Sequence, residues 1–293
     1  MMKNKIMKSI LFRDRCFISF VMVLAFLLLF CLSSVSAAEY NFTSDNTTSD
    51  FQGVIDNDTD DELVINLADG NYTFDRINVS RNATIIGKNR NVNISGSGGV
   101  LFNITASHVR LINLTITGYT SAIVGNSSDL TVTGNNITTS GISINISSSG
   151  DNLTNIIIED NVIVSSVSNI YYGAVFVNGN GMAISFVSFI NNSIRGNGTS
   201  NSNGVRINSK GINNLTFDGN NITGTYDGVY LDASSSNNTN ITFANNNITG
   251  TYNGVYLAAY SSNNTNITFA NNNITGTDYG VALAAYSDNN TTI

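Results

Sequence analysis

Cysteine, histidine, tryptophan and proline are scarce or absent in this chain. Its 293 residues include two cysteines and one histidine, and no tryptophan or proline. Both cysteines, Cys16 and Cys31, precede residue 38, so the rest of the chain has no disulfide framework. A copper carrier would need clustered histidine, methionine or cysteine ligands, and the sequence has no such cluster. We therefore expect no metal site and no cofactor.

Basic residues are also few. From residue 38 onward the chain has eight basic and nineteen acidic residues, a net charge of −11. Nucleic acids and anionic membranes are bound through basic patches, so the charge argues against both as partners. Asn, Ser, Thr and Gly are abundant, and the apolar residues between them are periodic. That periodicity indicates a folded β protein with a polar surface, and not a disordered tail.

Residues 1–37 have the order of a secretory signal peptide. A basic segment comes first, an apolar run over 17–32 follows, and Val35-Ser36-Ala37 offers small residues at a cleavage site. The run is short for a membrane span, although an uncleaved anchor is the alternative. We expect an extracellular or cell-surface protein with no intrinsic membrane span after signal removal.

A 26-residue unit occurs three times in succession, at 212–237, 238–263 and 264–289. The second and third copies differ at four positions. Apolar and polar residues alternate within a unit, as at Leu215 and Phe217, and no stretch has helical spacing. Each unit therefore predicts three short strands. Because such a unit cannot bury its apolar side alone, copies are expected to stack as a solenoid.

Degenerate copies of the unit extend back to residue 72. The strand at 228–231 of the first full copy has earlier relatives at 99–102, 122–124, 141–144, 173–176 and 204–207. We predict an all-β, single-stranded parallel β-helix over residues 72–293, with about 8–9 coils. A coil here is one circuit of the chain through three strands.

Residues 38–71 are predicted to form an N-terminal cap. Phe51, Val54 and Ile55 make a short apolar helical face after Ser49-Asp50, which is the predicted N-cap. A cap would cover the strand edges of the first coil. At the other end the sequence stops in the register of a new coil, so we expect C-terminal continuation or self-association there.

An asparagine precedes the central isoleucine of each unit by two residues, so alternation points both side chains inward. An amide has donors and an acceptor and can bond to its equivalents in both adjacent coils. The sequence therefore predicts a structural asparagine ladder of Asn135, Asn161, Asn192, Asn220, Asn246 and Asn272.

The rhythm Asn-x-Ile, Gly-Val/Ile-x-Leu, Asn-Asn-x-Ile over residues 51–293 resembles right-handed parallel β-helix repeats of the pectin-lyase-like superfamily. The order of the opening segments is similar to that of adhesin-like surface proteins of methanogenic archaea. Those segments are 51–57, 63–65, 84–87, 101–104 and 109–116. The resemblance implies a right-handed solenoid, in agreement with the general handedness of parallel crossovers. It is specific for the fold and weak for function.

The same superfamily contains polysaccharide lyases and glycosidases, so the resemblance also implies an enzymatic alternative. Glycoside hydrolysis needs paired carboxyl groups. In the repeats the acids do not recur: Asp218 becomes Ala244, and Asp227 becomes Asn253. His108 is expected to be a surface residue at a strand start. We expect no catalytic residues, with a carbohydrate-active enzyme or its inactive relative as the alternative.

Tyrosines recur at outward positions of the repeat. They predict three columns, Tyr226 with Tyr252, Tyr230 with Tyr256, and Tyr260 with Tyr286. Flat rings beside amides suit sugars, and tyrosine is enriched in protein interfaces. The rings could equally stack on one another as cross-strand pairs, and both interpretations can hold at once.

The chain has about two dozen Asn-x-Ser/Thr triplets, each an N-glycosylation acceptor in a secreted protein. Asn221, Asn247 and Asn273 form one predicted outward column of such triplets. We expect a secreted or cell-surface, adhesin-like, non-catalytic protein whose partners are cell-surface glycans or proteins.

Overall fold

The computed structural model describes residues 37–89, 91–199, 201–233, 238–259 and 264–285. Within them the chain forms twenty-eight strands and one helix. The predicted signal peptide lies outside the described residues except for Ala37, as do parts of all three 26-residue units and the expected C-terminal contact. In the described part of the chain, no helix is long and apolar enough to span a bilayer.

The strands form three parallel sheets of ten, nine and nine strands. The first sheet contains β1 (Ala37–Phe42), β2 (Glu62–Leu67), β5 (Ala83–Gly87), β8 (Val109–Ile112), β11 (Leu130–Thr133), β14 (Leu153–Glu159), β17 (Ile184–Ile190), β20 (Ile212–Asp218), β23 (Asn238–Ala244) and β26 (Asn264–Ala270). The second contains β3 (Gly70–Tyr72), β6 (Val92–Ser95), β9 (Thr115–Tyr119), β12 (Asn136–Thr139), β15 (Val162–Ser165), β18 (Ser193–Gly196), β21 (Asn221–Gly224), β24 (Asn247–Gly250) and β27 (Asn273–Thr275). The third contains β4 (Ile77–Val79), β7 (Val100–Ile104), β10 (Ser121–Gly125), β13 (Ile144–Ser147), β16 (Gly173–Asn178), β19 (Asn203–Ser209), β22 (Val229–Ala233), β25 (Asn253–Ala259) and β28 (Tyr279–Ala285).

From β2 onward, consecutive strands belong to the first, second and third sheet in turn, and each strand pairs with its equivalent one coil away. This arrangement confirms the predicted all-β, parallel, repetitive architecture and is consistent with a parallel β-helix. Parallel neighbours need a long crossover connection, which is often a helix. Here the strands of the other two sheets make that connection, since each strand pairs with its equivalent one full circuit later.

The register follows the 26-residue period. Phe217 pairs with Phe243, and Ile222 pairs with Ile248. Since identical residues meet, identical rings stack: the Phe217 and Phe243 centroids are 4.8 Å apart with their planes inclined by 3°. Phe189 extends the column in one direction and Phe269 in the other. These buried columns form the apolar core between the three sheets.

From His108 onward, the described coils have a left-handed residue at two equivalent positions. Asparagine, aspartate and histidine tolerate positive φ better than other non-glycine residues, which explains part of the asparagine content. The first position has His108, Asp129, Asn155, Phe186, Asn214, Asn240 and Asn266 at φ between 54° and 59°. The first two directly precede their first-sheet strands, and the other five lie within theirs. The second position, at the corner after the first sheet, has Asn113, Gly134, Asp160, Asn191, Gly219, Asn245 and Asn271, all with positive φ.

Helix α1 spans Thr48–Asn57, between β1 and β2. The predicted N-cap at Ser49-Asp50 is wrong. Thr47 is the N-cap: its hydroxyl accepts from the Asp50 N–H, while Asp50 Oδ2 accepts from the Thr47 N–H at 2.8 Å. This capping box starts the helix earlier because Asp50 serves as the third helical residue.

The helix lies against β4, which is the edge strand of the third sheet at its N-terminal end. Gln52 Nε2 donates to the Asn78 carbonyl at 3.1 Å, and the Asn78 N–H donates to Gln52 Oε1 at 2.8 Å. Asn78 belongs to β4, the edge strand of that sheet. Phe51 is buried with its ring 5.3 Å from that of Phe74. Strand β1, which the sequence analysis did not predict, pairs with β2.

Candidate functional site

A row of large side chains crosses the outer face of the third sheet. The strand register aligns Phe176, Arg206, Tyr230 and Tyr256 at equivalent positions of β16, β19, β22 and β25. Their strand neighbours, such as Val229 and Leu231, are fully buried, so alternation directs the row away from the core. Arg206 was absent from the predicted site, although its place in Gly-Val-x-Ile marks the same outward position.

The two predicted tyrosines of this row stack on each other. The Tyr230 and Tyr256 centroids are 5.0 Å apart at an interplanar angle of 24°. The Arg206 guanidinium lies 4.1 Å from the Tyr230 centroid, one coil earlier. Arg206 and Tyr256 therefore cover opposite faces of the Tyr230 ring. A ligand at Tyr230 would meet the ring edge and hydroxyl, and not an open ring face.

Arg206 is 6% exposed and is held by several groups. Nε donates to Asn208 Oδ1 at 3.0 Å, and Nη1 donates to the Ile170 carbonyl at 2.9 Å. Nη2 lies 4.0 Å from Asp232 Oδ2. A planar guanidinium can make these bonds and stack on an aromatic ring simultaneously. The arginine thus joins β19, β22 and the segment that precedes β16.

That segment, residues 166–172, adds two more tyrosines. Tyr171 is 67% exposed and its centroid is 5.9 Å from the Arg206 guanidinium carbon. Tyr172 meets Phe176 edge to face at 5.4 Å. The sequence signal for this feature is the 31-residue spacing from Asn161 to Asn192, where the full repeats have 26. We call Tyr171, Arg206, Tyr230 and Tyr256 the tyrosine–arginine ridge.

A second predicted column lies at the corner between the second and third sheets. Tyr226 and Tyr252 stack with centroids 5.0 Å apart at 14°, and Tyr252 is 43% exposed. A hydrogen bond with Asp278 raises the pKa of Tyr252, and burial raises the pKa of Tyr226. The third predicted column, Tyr260 with Tyr286, lies outside the described residues.

The six predicted ladder asparagines lie in one column, in which five are buried and Asn272 is half-buried. Each of the first five donates its backbone N–H and its Nδ2 to Oδ1 of the asparagine in the next coil. For Asn220 and Asn246 these distances are 2.9 and 3.0 Å. The Nδ2 atoms also donate to carbonyls of the preceding coil. The column consists of Asn135, Asn161, Asn192, Asn220, Asn246 and Asn272.

The predicted sequon column lies on the exposed side of the second sheet. Asn221, Asn247 and Asn273 are all exposed and occupy equivalent strand positions. Asn247 Nδ2 donates to Asn221 Oδ1 at 3.1 Å, and Asn273 Nδ2 donates to Asn247 Oδ1 at 2.9 Å. Two of the three nitrogens that would carry glycans, those of Asn247 and Asn273, are therefore engaged in a surface ladder.

A buried aspartate lies at the same corner as the tyrosine pair, and in the sequence it is distinguished only by its failure to repeat. Asp227 is fully buried, and its Oδ1 accepts from the Asn253 N–H at 3.1 Å and from Asn253 Nδ2 at 2.8 Å. Its own N–H donates to Asn203 Oδ1 at 3.3 Å. Burial raises the pKa of Asp227 to about 6, against the opposing effect of the Asn253 hydrogen bonds and of Arg206.

The surface acids do not align across coils. Asp218 pairs with Ala244, and Asp232 pairs with Ala258, in the strand register. His108 sits at a left-handed corner with its Nδ1 3.8 Å from Asp129 Oδ2. Together with Arg110 they line an open groove of about 310 Å³. Within the described part of the chain, no three His, Cys, Asp or Glu side chains group as metal ligands would.

In comparisons with known proteins, no family model, no curated protein and no solved structure matched the chain.

Proposed function

We propose that this protein is a secreted or cell-surface, non-catalytic, right-handed parallel β-helix of the pectin-lyase-like kind, which binds glycans or partner surfaces in the manner of an adhesin. The observation that carries the proposal is the tyrosine–arginine ridge. It gathers three tyrosines and an arginine on one outer face, and tyrosine and arginine are the residue types enriched in recognition surfaces.

The geometry of the ridge favours an extended ligand. Stacking of Tyr230 on Tyr256 and on Arg206 covers the ring faces and leaves ring edges outward, which suits contact along an extended chain of sugars or a protein strand. Tyr171, at 67% exposure, offers a ring beside this row. A ring side chain held near a buried guanidinium loses little conformational entropy on binding, which favours affinity.

Two structural features support a stiff scaffold that holds the ridge in place. The buried asparagine ladder ties each coil to the next by paired hydrogen bonds. Helix α1 acts in this proposal as the N-terminal cap, since Gln52 bonds to both backbone groups of Asn78 on the edge strand β4. A stacked, capped solenoid holds its surface groups at a fixed spacing of about 4.8 Å.

A carbohydrate-active enzyme is the second candidate, and the groove at His108 is the observation that favours it. His108, Arg110 and Asp129 bring an imidazole, a guanidinium and a carboxylate to one open cleft. Asp129 Oδ1 already accepts from Asn155 Nδ2 at 2.7 Å, and the His108 side chain is 69% exposed. Both features suit a hydrated surface pair better than a desolvated acid and base.

One pair of substitutions separates the two candidates. Tyr171→Ala removes the most exposed tyrosine of the ridge, and His108→Ala removes a similarly exposed side chain from the groove. On a glycan array we expect the secreted chain and His108→Ala to bind alike and Tyr171→Ala to lose at least tenfold in affinity. Cleavage of polygalacturonate that disappears in His108→Ala would instead establish the enzyme.

A further inference from the structure

One corner position of the solenoid carries a second buried polar column. In three successive coils the residue before the corner glycine is Asn203, Asp227 or Asn253. Their exposures are 0%, 0% and 2%. The corner joins the second sheet to the third, next to the stacked Tyr226 and Tyr252.

At the two asparagine positions the amide nitrogen points to oxygen atoms of the preceding coil. Asn203 Nδ2 donates to the Ile170 and Tyr172 carbonyls at 2.9 and 2.8 Å. Asn253 Nδ2 donates to Asp227 Oδ1 at 2.8 Å. Aspartate has no nitrogen with which to continue this pattern, so the middle coil lacks the donor that its neighbours have.

The consequence appears at Asp227 Oδ2. This atom is buried and accepts no hydrogen bond from any residue that the structure describes. A buried carboxylate oxygen without a donor is strongly destabilised, whereas a protonated carboxyl supplies an O–H donor where the asparagines supply N–H. The charged or titratable groups around it are Arg206 of the preceding coil, Tyr226 on the same turn, and Asp278 beyond Tyr252.

We propose that Asp227 is a proton-dependent latch: the corner stays closed while the carboxyl carries a proton and opens locally when the carboxyl ionises. Opening would let water reach Oδ2. It would break the bond from the Asp227 N–H to Asn203 Oδ1 and the bond from the Gly204 N–H to the Asp227 carbonyl. Asn203 Nδ2 also donates to the Ile170 and Tyr172 carbonyls. Local opening at Asn203 would therefore weaken the attachment of residues 166–172, which include Tyr171.

The direction of the effect follows from linkage. The closed corner binds the proton more tightly than an open, hydrated corner would, since burial raises the pKa of Asp227 from 3.8 to about 6. Closing is therefore most favourable below about pH 4. The opening equilibrium rises about tenfold per pH unit between about pH 4 and 6 and then levels off, a total of about a hundredfold. This latch does not depend on what the ridge binds.

Amide hydrogen exchange of the secreted chain at pH 4 and pH 7.5 tests the latch, with each rate corrected for its intrinsic pH dependence. The reporters are the Gly204, Asp227 and Asn253 N–H groups, and the references are the Asn220 and Asn246 N–H groups of the asparagine ladder. We expect protection at the reporters to fall tens of fold at pH 7.5 and protection at the references to stay constant.

Two variants separate the latch from general acid or base effects. Asp227→Asn restores the amide that the adjacent coils already have, so its reporters should be equally protected at both pH values. Asp218→Asn changes a surface carboxylate in the same coil as Asp227, which accepts from Asn245 Nδ2 of the next coil, and this variant should behave as the unmodified chain. Reporter protection that is independent of pH in the unmodified chain, or that still falls in Asp227→Asn, would overturn the proposal.

Discussion

Replacing Asn246 by leucine tests the buried ladder most directly. The Asn246 side chain takes part in four hydrogen bonds: Oδ1 accepts from the Asn220 N–H and Nδ2, and Nδ2 donates to Asn272 Oδ1 and to the Phe217 carbonyl. Asn220 Nδ2 keeps its bond to the Phe189 carbonyl. The Asn220 N–H, however, would be left buried without its acceptor.

The cost of that change can be bounded. An orphaned buried donor costs about 1–3 kcal/mol, and each further lost bond about 0.5–1.5 kcal/mol. Leucine adds apolar contact that offsets part of this, so we expect Asn246→Leu to lower the free energy of unfolding by about 2–4 kcal/mol. The adjacent Asn247 is exposed, and its side chain bonds to Asn221 and Asn273 in the surface ladder. Asn247→Leu should change stability by about 0.5 kcal/mol or less.

Urea unfolding followed by circular dichroism compares the two variants with the unmodified chain. Because a solenoid can unfold in segments, hydrogen exchange at the Asn220 N–H serves as the local readout. Equal unfolding midpoints for Asn246→Leu and Asn247→Leu, with unchanged exchange at Asn220, would refute the energetic role assigned to the ladder.

Three further predictions concern other surfaces of the solenoid. Full glycosylation of Asn221, Asn247 and Asn273 on one molecule should not occur, because a glycan is far wider than the coil spacing of about 4.8 Å; glycopeptide mass spectrometry finding all three occupied together would contradict the column. Asp227→Asn should stabilise the chain by about 1–3 kcal/mol at pH 7.5 and by almost nothing at pH 4, because ionisation of the buried carboxyl lowers the stability of the unmodified chain as pH rises. Equal urea midpoints for the variant and the unmodified chain at pH 7.5 would contradict this. Arg206→Lys should cost about 1–2 kcal/mol, because lysine cannot stack and keep both guanidinium bonds, and unchanged urea unfolding together with unchanged exchange in residues 166–172 would show that the arginine does not anchor that segment.

The sequence by itself determined the stacking of the chain. Once Phe217 and Phe243 recur 26 residues apart within an alternating pattern, parallel pairing in register is the arrangement that buries the apolar face of every repeat. The inward position of the ladder asparagines follows from the same alternation, since each stands two residues before a buried isoleucine. The 26-residue period and the alternation within it can both be read from the order of residues along the chain, so the stacking of the coils could be predicted without the fold.

Helix α1 was predicted in place but not in detail. The apolar residues Phe51 and Ile55 marked its buried face. Several polar residues precede that face, and the sequence pattern did not single out Thr47 as the cap. Strand β1 was missed because Ala37–Phe42 gains its structure from pairing with β2, and an edge strand has little sequence signal of its own.

Only the tertiary structure decided what the irregular positions do. Arg206 and Tyr171 are 35 residues apart in a stretch where the spacing departs from 26, and the folded segment before β16 brings the guanidinium to 5.9 Å from the ring centroid. In the sequence, Asp227 stood out only as an acid that becomes Asn253 in the next copy. Its burial and its orphaned oxygen arise from its place in the column between two asparagines, and burial raises its pKa against the opposing effect of the Asn253 hydrogen bonds. Alternation predicts which way a side chain points, but the atoms it meets in the adjacent coils depend on the whole circuit of the chain.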